Sequence, residues 1–116
     1  MPALNFQKQF VDKVERGEKR QTIRSIRKNP VKVGDKLYLY TGQRTSNCRK
    51  LCDVICREVV DIEISGHGAV WINDKTLDDK EKYDLAVADG FHDWPEMLQW
   101  FRCQYGFYFQ GQIIRW

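Results

Sequence analysis

Apolar residues in this chain recur with two different periods, and the order in which the periods follow one another leaves few architectures open. Residues 6–16, FQKQFVDKVER, place Phe6, Phe10, Val11 and Val14 on one helical stripe, and Gly17 stands where a left-handed cap ends it. The period then falls to two. After a Gly34-Asp35 turn, Leu37 and Leu39 alternate with Tyr38 and Tyr40, and a polar, basic loop GQRTSNCRK follows. Residues 51–64 predict one long strand, or two joined at a bulge near Glu58 and Val59 where the alternation slips. GHG at 66–68 turns the chain, and AVWIN returns as a hairpin partner. Helical spacing resumes from Thr76 or Asp78 through Tyr83, Leu85 and Ala88 to Gly90. It resumes again at Asp93, where D-W-P-E supplies an N-cap aspartate, a first-turn proline and a capping glutamate. Met97, Leu98, Phe101 and Trp100 form that stripe, Gly106 ends it, and FYFQGQIIRW closes as a strand. Consecutive strands joined by short turns favour an antiparallel or mixed sheet carrying helices at one end. The predicted class is α+β, a small β-barrel with about three helices.

A chain of 116 residues fits one domain spanning 1–116, and its 42% hydrophobic and 30% charged content excludes a disordered or fibrous protein. No apolar run approaches bilayer-spanning length, and MPALNFQKQF carries no leader pattern, so a cytoplasmic protein without a membrane partner is expected. Charge is divided unevenly. Residues 1–60 hold 14 Lys/Arg against 6 Asp/Glu, whereas residues 61–116 hold 5 against 10. A basic half suits a polyanionic partner such as RNA, through counterion release; the two halves can equally neutralise each other across the fold. Cys48, Cys52, Cys56 and Cys103 lack the close pairing of a metal site, so buried free thiols are expected and no metal or other cofactor. His67, between two glycines, and His92, beside a helix start, read as surface residues.

The stretch GEKRQTIR, residues 17–24, leaves the first helix at Gly17 and enters a strand over Thr22 to Ile26. With Gly17, Lys19, Thr22 and Arg24 it carries G-x-K-x-x-T-x-R. That pattern resembles the signature of the ASCH domain family. The Gly34-Asp35 turn, LYLYTG with the following Arg44-Thr45, and ADGF at 88–91 leading into a helix stand in the family's order, so the resemblance covers nearly the whole chain. It implies a PUA-like β-barrel and a cleft, lined by the G-x-K motif, that binds RNA or a modified nucleoside or nucleotide. One small branch of the family removes the acetyl group from N4-acetylcytidine, and another member is described as a ribonuclease. In the amidohydrolase branch a lysine and a threonine of the motif work with a later glutamate. Lys19 and Thr22 match the first two, and Asp89, one methylene shorter, stands at the third.

The residues themselves admit the same chemistry. A threonine hydroxyl needs a base to take its proton, and a lysine serves only if burial or nearby positive charge, here from Arg20 and Arg24, lowers its pKa from about 10.4. Thr22 then attacks the acyl carbonyl while Asp89 orients the lysine or carries protons. For binding, Arg24, Arg44 and Arg49 form a candidate clamp beside Gly17, Arg20 and Thr45, and Tyr40, Tyr38 or Trp71 a candidate stacking platform. The plain alternatives are equally concrete: Lys19 caps the first helix, Thr22 is an ordinary strand residue, Asp89 pairs with an arginine, and the aromatics pack the core. Three functions stay open: a nucleotide- or RNA-binding module, an amidohydrolase, and a ribonuclease or adaptor.

Overall fold

The computed structural model describes residues 2–116. Leu4 and Phe6 point inward and Asn5 outward, so ALNF alternates as a strand, β1 (Ala3–Phe6), ahead of the first helix. That helix, α1 (Lys8–Glu15), therefore starts two residues later than the stripe suggested, with Phe10, Val11 and Val14 buried. β2 (Gln21–Arg24), β3 (Lys36–Thr41), β4 (Arg49–Ile55), β5 (Glu58–Ser65), β6 (Val70–Ile72) and β7 (Lys75–Thr76) follow. The chain ends in α2 (Asp79–Ala88), α3 (Trp94–Tyr105) and β8 (Tyr108–Arg115). The class is α+β.

The strands form two sheets. One has the order β1-β3-β4, with β1 parallel to β3; the other, β2-β8-β5-β6-β7, is antiparallel throughout. The long strand expected over 51–64 is two strands in different sheets. At the corner, the Cys56 N–H donates to the Asp35 carbonyl (2.8 Å) and the Arg57 N–H to the Arg115 carbonyl (2.8 Å), so one step of chain leaves the first sheet for the second. The slip in alternation there marks this crossing. The bulge lies earlier, where Leu39 pairs with Cys52 but Tyr40 with Lys50.

The closed barrel needs correcting. Among the described residues no ladder joins β1 or β4 to the second sheet. Arginine side chains occupy the free edge of β1 instead: Arg27 Nη2 donates to the Ala3 carbonyl (2.5 Å) and Arg24 Nη2 to the Asn5 carbonyl (2.6 Å). Those alternate carbonyls are the acceptors a closing strand would need, and guanidinium groups satisfy them without one.

One core joins both sheets and all three helices, with Leu4, Leu37, Leu39, Ile62, Val70, Met97 and Ile113 at its most buried points. α3 packs on β8 through Phe101 and Phe109, whose ring centres lie 5.1 Å apart. Asp78 and Glu81 make a full capping box at the start of α2, but the helix buries Leu85 and Ala86 rather than Tyr83, which is exposed. At α3, Asp93 accepts from the Glu96 N–H, while the Glu96 carboxylate turns to the His92 N–H. Of the four thiols, all free, only Cys56 is buried; Cys52 is half-buried and Cys48 and Cys103 are exposed. The buried-thiol expectation thus holds for one cysteine, because β4 is an edge strand and Cys48 and Cys103 lie outside the core. Among the described residues, no helix is long and apolar enough to cross a membrane.

Candidate functional site

Two helix ends build the site. At the end of α1, Gly17 takes φ +76°, the Gly17 N–H reaches the Val14 carbonyl (3.2 Å) and the Glu18 N–H reaches the Lys13 carbonyl (2.9 Å). The end of α2 repeats the motif: Gly90 has φ +98°, with the Gly90 N–H on Val87 (3.0 Å) and the Phe91 N–H on Ala86 (2.9 Å). This paired closure is the Schellman motif, and it turns each chain sharply off its helix axis. The first turn delivers Lys19 inward; the second leaves Asp89 as the C-cap of α2, directly after Ala88.

Lys19 reaches across to α2. Its ammonium donates to the Asp89 carbonyl and lies 3.2 Å from Asp89 Oδ1. Lys13 Nζ donates to the Gly90 carbonyl at 3.1 Å, so two cations face the negative end of the α2 dipole. Lys19 therefore caps the second helix, not the first. Its ammonium also stands 4.9 Å from the Phe10 ring centre. Lys19 is only 2% exposed and Asp89 5%. Burial pushes the Lys19 pKa below that of an ordinary lysine, against the pull of the Asp89 charge, and the nearby charges of Arg24 and Lys13 push the same way as burial. Burial likewise raises Asp89 above the ordinary carboxylate range, while Lys19 and the Gln21 amide resist.

Thr22 lies on β2 opposite Ile114 of β8 and is buried. Its Oγ1 accepts a hydrogen bond from Arg24 Nε at 2.9 Å, and the same guanidinium sits 5.0 Å from the Phe6 ring centre. A hydroxyl with a cationic donor on its oxygen loses its proton more readily than a free one. Lys19, Thr22, Arg24 and Asp89 line one cavity of about 230 Å³, closed on other sides by Phe6, Phe10, Trp100 and Tyr105, with Asn5, Gln7 and Gln104 also on its wall.

The remaining predicted residues fall elsewhere. Gly17 and Arg20 are exposed and do not line this cavity. Thr45 and Arg49 line a larger, open cavity of about 860 Å³ that shares Asn5, Phe6 and Gln7 with the first. Arg49 is held there by Glu15 (2.8 Å), which lowers the Glu15 pKa and raises that of Arg49. Arg44 is exposed at φ +66°, and Tyr40 is half-buried on β3; neither lines either cavity. Trp71 lies with Asp61, Glu63 and Asp74 on a third cavity that shares no residue with the first. His67 and His92 are both exposed. Missed from the sequence were Gln21, buried beside Asp89, and the aromatic wall from α3. The i, i+1 and i+5 spacing of Trp100, Phe101 and Tyr105 marks a wide apolar face, wider than one core stripe needs, and was the available signal. Among the described residues, no group of three or more His, Cys, Asp or Glu side chains is placed to hold a metal.

No family model, curated protein or solved structure matches this chain.

Proposed function

We propose that the chain binds a pyrimidine nucleoside with an acylated exocyclic amine, of the N4-acetylcytidine type, and hydrolyses its amide, as the resemblance to ASCH amidohydrolases implies. One observation carries the reading. A buried ammonium–carboxylate pair and a buried hydroxyl bonded to a guanidinium share the wall of one small cavity. Ligand pockets commonly run from roughly 300 to 1,000 Å³, so a cavity of about 230 Å³ fits a single base and its acyl group, with the sugar at the mouth. The aromatic wall supplies a stacking surface for that base.

In the proposed reaction Lys19 gives up a proton to act as a free amine, a change that burial favours and the Asp89 charge opposes. Lys19 takes the Thr22 proton as Oγ1 adds to the acyl carbon, and the ammonium so formed is held by the Asp89 carboxylate. The amide C–N bond then breaks, the Lys19 proton passes to the leaving amine, and water hydrolyses the threonyl ester to release the acid. Arg24 steadies negative charge developing at Thr22 or on the acyl oxygen. An aspartate in place of glutamate is accommodated because Asp89 is the C-cap of α2, where the chain turns toward Lys19, and its shorter carboxylate lies 3.2 Å from the ammonium.

A second reading, binding of a nucleotide or RNA without turnover, is favoured by the adjoining larger cavity, where Lys8, Thr45 and Arg49 face a ligand that extends beyond the base. Incubation with N4-acetylcytidine, followed by its ultraviolet spectrum, separates the two. The hydrolase reading expects conversion to cytidine that Thr22→Ala abolishes while nucleoside binding survives. Absence of conversion at high protein concentration, with binding intact, would overturn it in favour of the second.

A further inference from the structure

Gln21 is buried on β2, at a position where an apolar residue would pack without polar partners, and its side chain makes two hydrogen bonds in opposite directions. Nε2 donates to Asp89 Oδ1 at 3.3 Å, and Oε1 accepts from Arg115 Nε at 3.2 Å. Arg115, directly opposite in register on β8, is itself held by Glu58 through Nη1 at 2.6 Å. A guanidinium can only donate, so the amide oxygen must face Arg115 and the amide N–H₂ must face the carboxylate. Chemistry thus fixes an orientation that geometry alone leaves two-fold. The same carboxylate oxygen lies 3.2 Å from Lys19 Nζ.

We infer that Gln21 is a positioning residue: the Arg115–Glu58 ion pair, at the facing ends of β8 and β5, pins its amide, and the pinned amide holds Asp89 as the carboxylate that faces Lys19. A line of five side chains, Lys19, Asp89, Gln21, Arg115 and Glu58, then runs from the cavity to the surface of the second sheet. The inference rests on the reading of Lys19 and Asp89 as a working pair, and it adds what holds the carboxylate of that pair in place. The other charged groups facing Asp89 are Lys19, at the end of α1, and Arg24 from β2; Lys13 of α1 sits on the neighbouring Gly90 carbonyl, and Tyr105 of α3 lines the same cavity.

The test is a carbon-13 NMR titration of the aspartate side-chain carboxyls in the folded chain, comparing wild type with Gln21→Met and Arg115→Met. Methionine keeps the volume of glutamine without its hydrogen bonds. In Gln21→Met the Asp89 midpoint is expected to rise by about one to two pH units, the size of one hydrogen bond to a charged group. Arg115→Met, at the last position of β8 with its side chain partly exposed, should shift it the same way by less. An unchanged midpoint in Arg115→Met, and in Gln21→Met where it folds, would overturn the role of Gln21. The titration needs no substrate, so its result stands apart from whether N4-acetylcytidine is hydrolysed.

Discussion

A lysine required only to offset the negative end of α2 could do so from a half-buried position, as Lys13 does on the Gly90 carbonyl. Lys19 does it from the interior, bonded to a carboxylate that is buried too. Desolvating both charges costs several kcal/mol per ion, and their attraction recovers that only with close geometry and further hydrogen bonds. The folded chain therefore holds the Asp89 proton more tightly, and the Lys19 proton less tightly, than the unfolded chain. Stability should fall as pH rises from the ordinary carboxylate range up to the raised Asp89 value. It should rise as pH climbs from the lowered Lys19 value toward that of an ordinary lysine. Urea midpoints measured across pH should show both slopes in the wild type, and Lys19→Met with Asp89→Asn should flatten them. At this scale the sequence was partly readable. The motif named Lys19, Thr22 and Arg24, but only the fold could show that Arg24 serves Thr22, that Arg20 faces solvent, and that Gln21 completes the pair. Alternation along β2 assigns faces, and it does not say which face a helix end from residue 89 will meet.

The two glycine-ended helices are the elements that make the site, and they make different demands on their glycines. Both glycines have left-handed backbone, which alanine adopts at a cost of about 1 kcal/mol. A Cβ on Gly17 would meet nothing within 4 Å, whereas one on Gly90 would come within 3.0 Å of Phe10 and 3.1 Å of the Lys19 side chain. Gly17→Ala should therefore lower stability by about 1 kcal/mol, and Gly90→Ala by about 1–3 kcal/mol more because Phe10 and Lys19 must move. Equilibrium denaturation of the two variants checks the difference; equal losses would show that the Gly90 surroundings yield freely. Caps and turns were the most legible parts of the sequence, since Gly17, Gly90, Gly106 and Asp93 all end or begin helices where the local chemistry requires. β1 was not legible. Its four residues run straight into a helix, and Phe6 falls on the helical stripe while belonging to the strand.

Across the whole molecule, the α+β class follows from the change of period, but the number of strands and the closure of the sheets do not. Guanidinium groups on the β1 edge are a long-range choice with no local signal, and the slip in alternation near Glu58 does not say that the chain changes sheets at Cys56 and Arg57. That corner gives a test of the fold as a unit. Cys48 and Cys103 should react with a thiol reagent at once in the native chain, Cys52 more slowly, and Cys56 only on unfolding. Burial raises the pKa of Cys52 and Cys56 as well, which slows both further by lowering their thiolate fraction. Prompt labelling of Cys56 would mean that the sheets part at the corner. The site itself stands where the two sheets and α1, α2 and α3 converge, so no single element carries it.

The central claim is that the buried pair is kept for a ligand's chemistry and not for the fold, and one comparison measures it directly. Lys19→Met alone strands a buried carboxylate and should cost about 3–5 kcal/mol. Adding Asp89→Asn, which keeps a partner for Gln21, should restore most of that stability while leaving N4-acetylcytidine unconverted. A double variant that folds as well as the wild type and still converts the nucleoside would contradict the account.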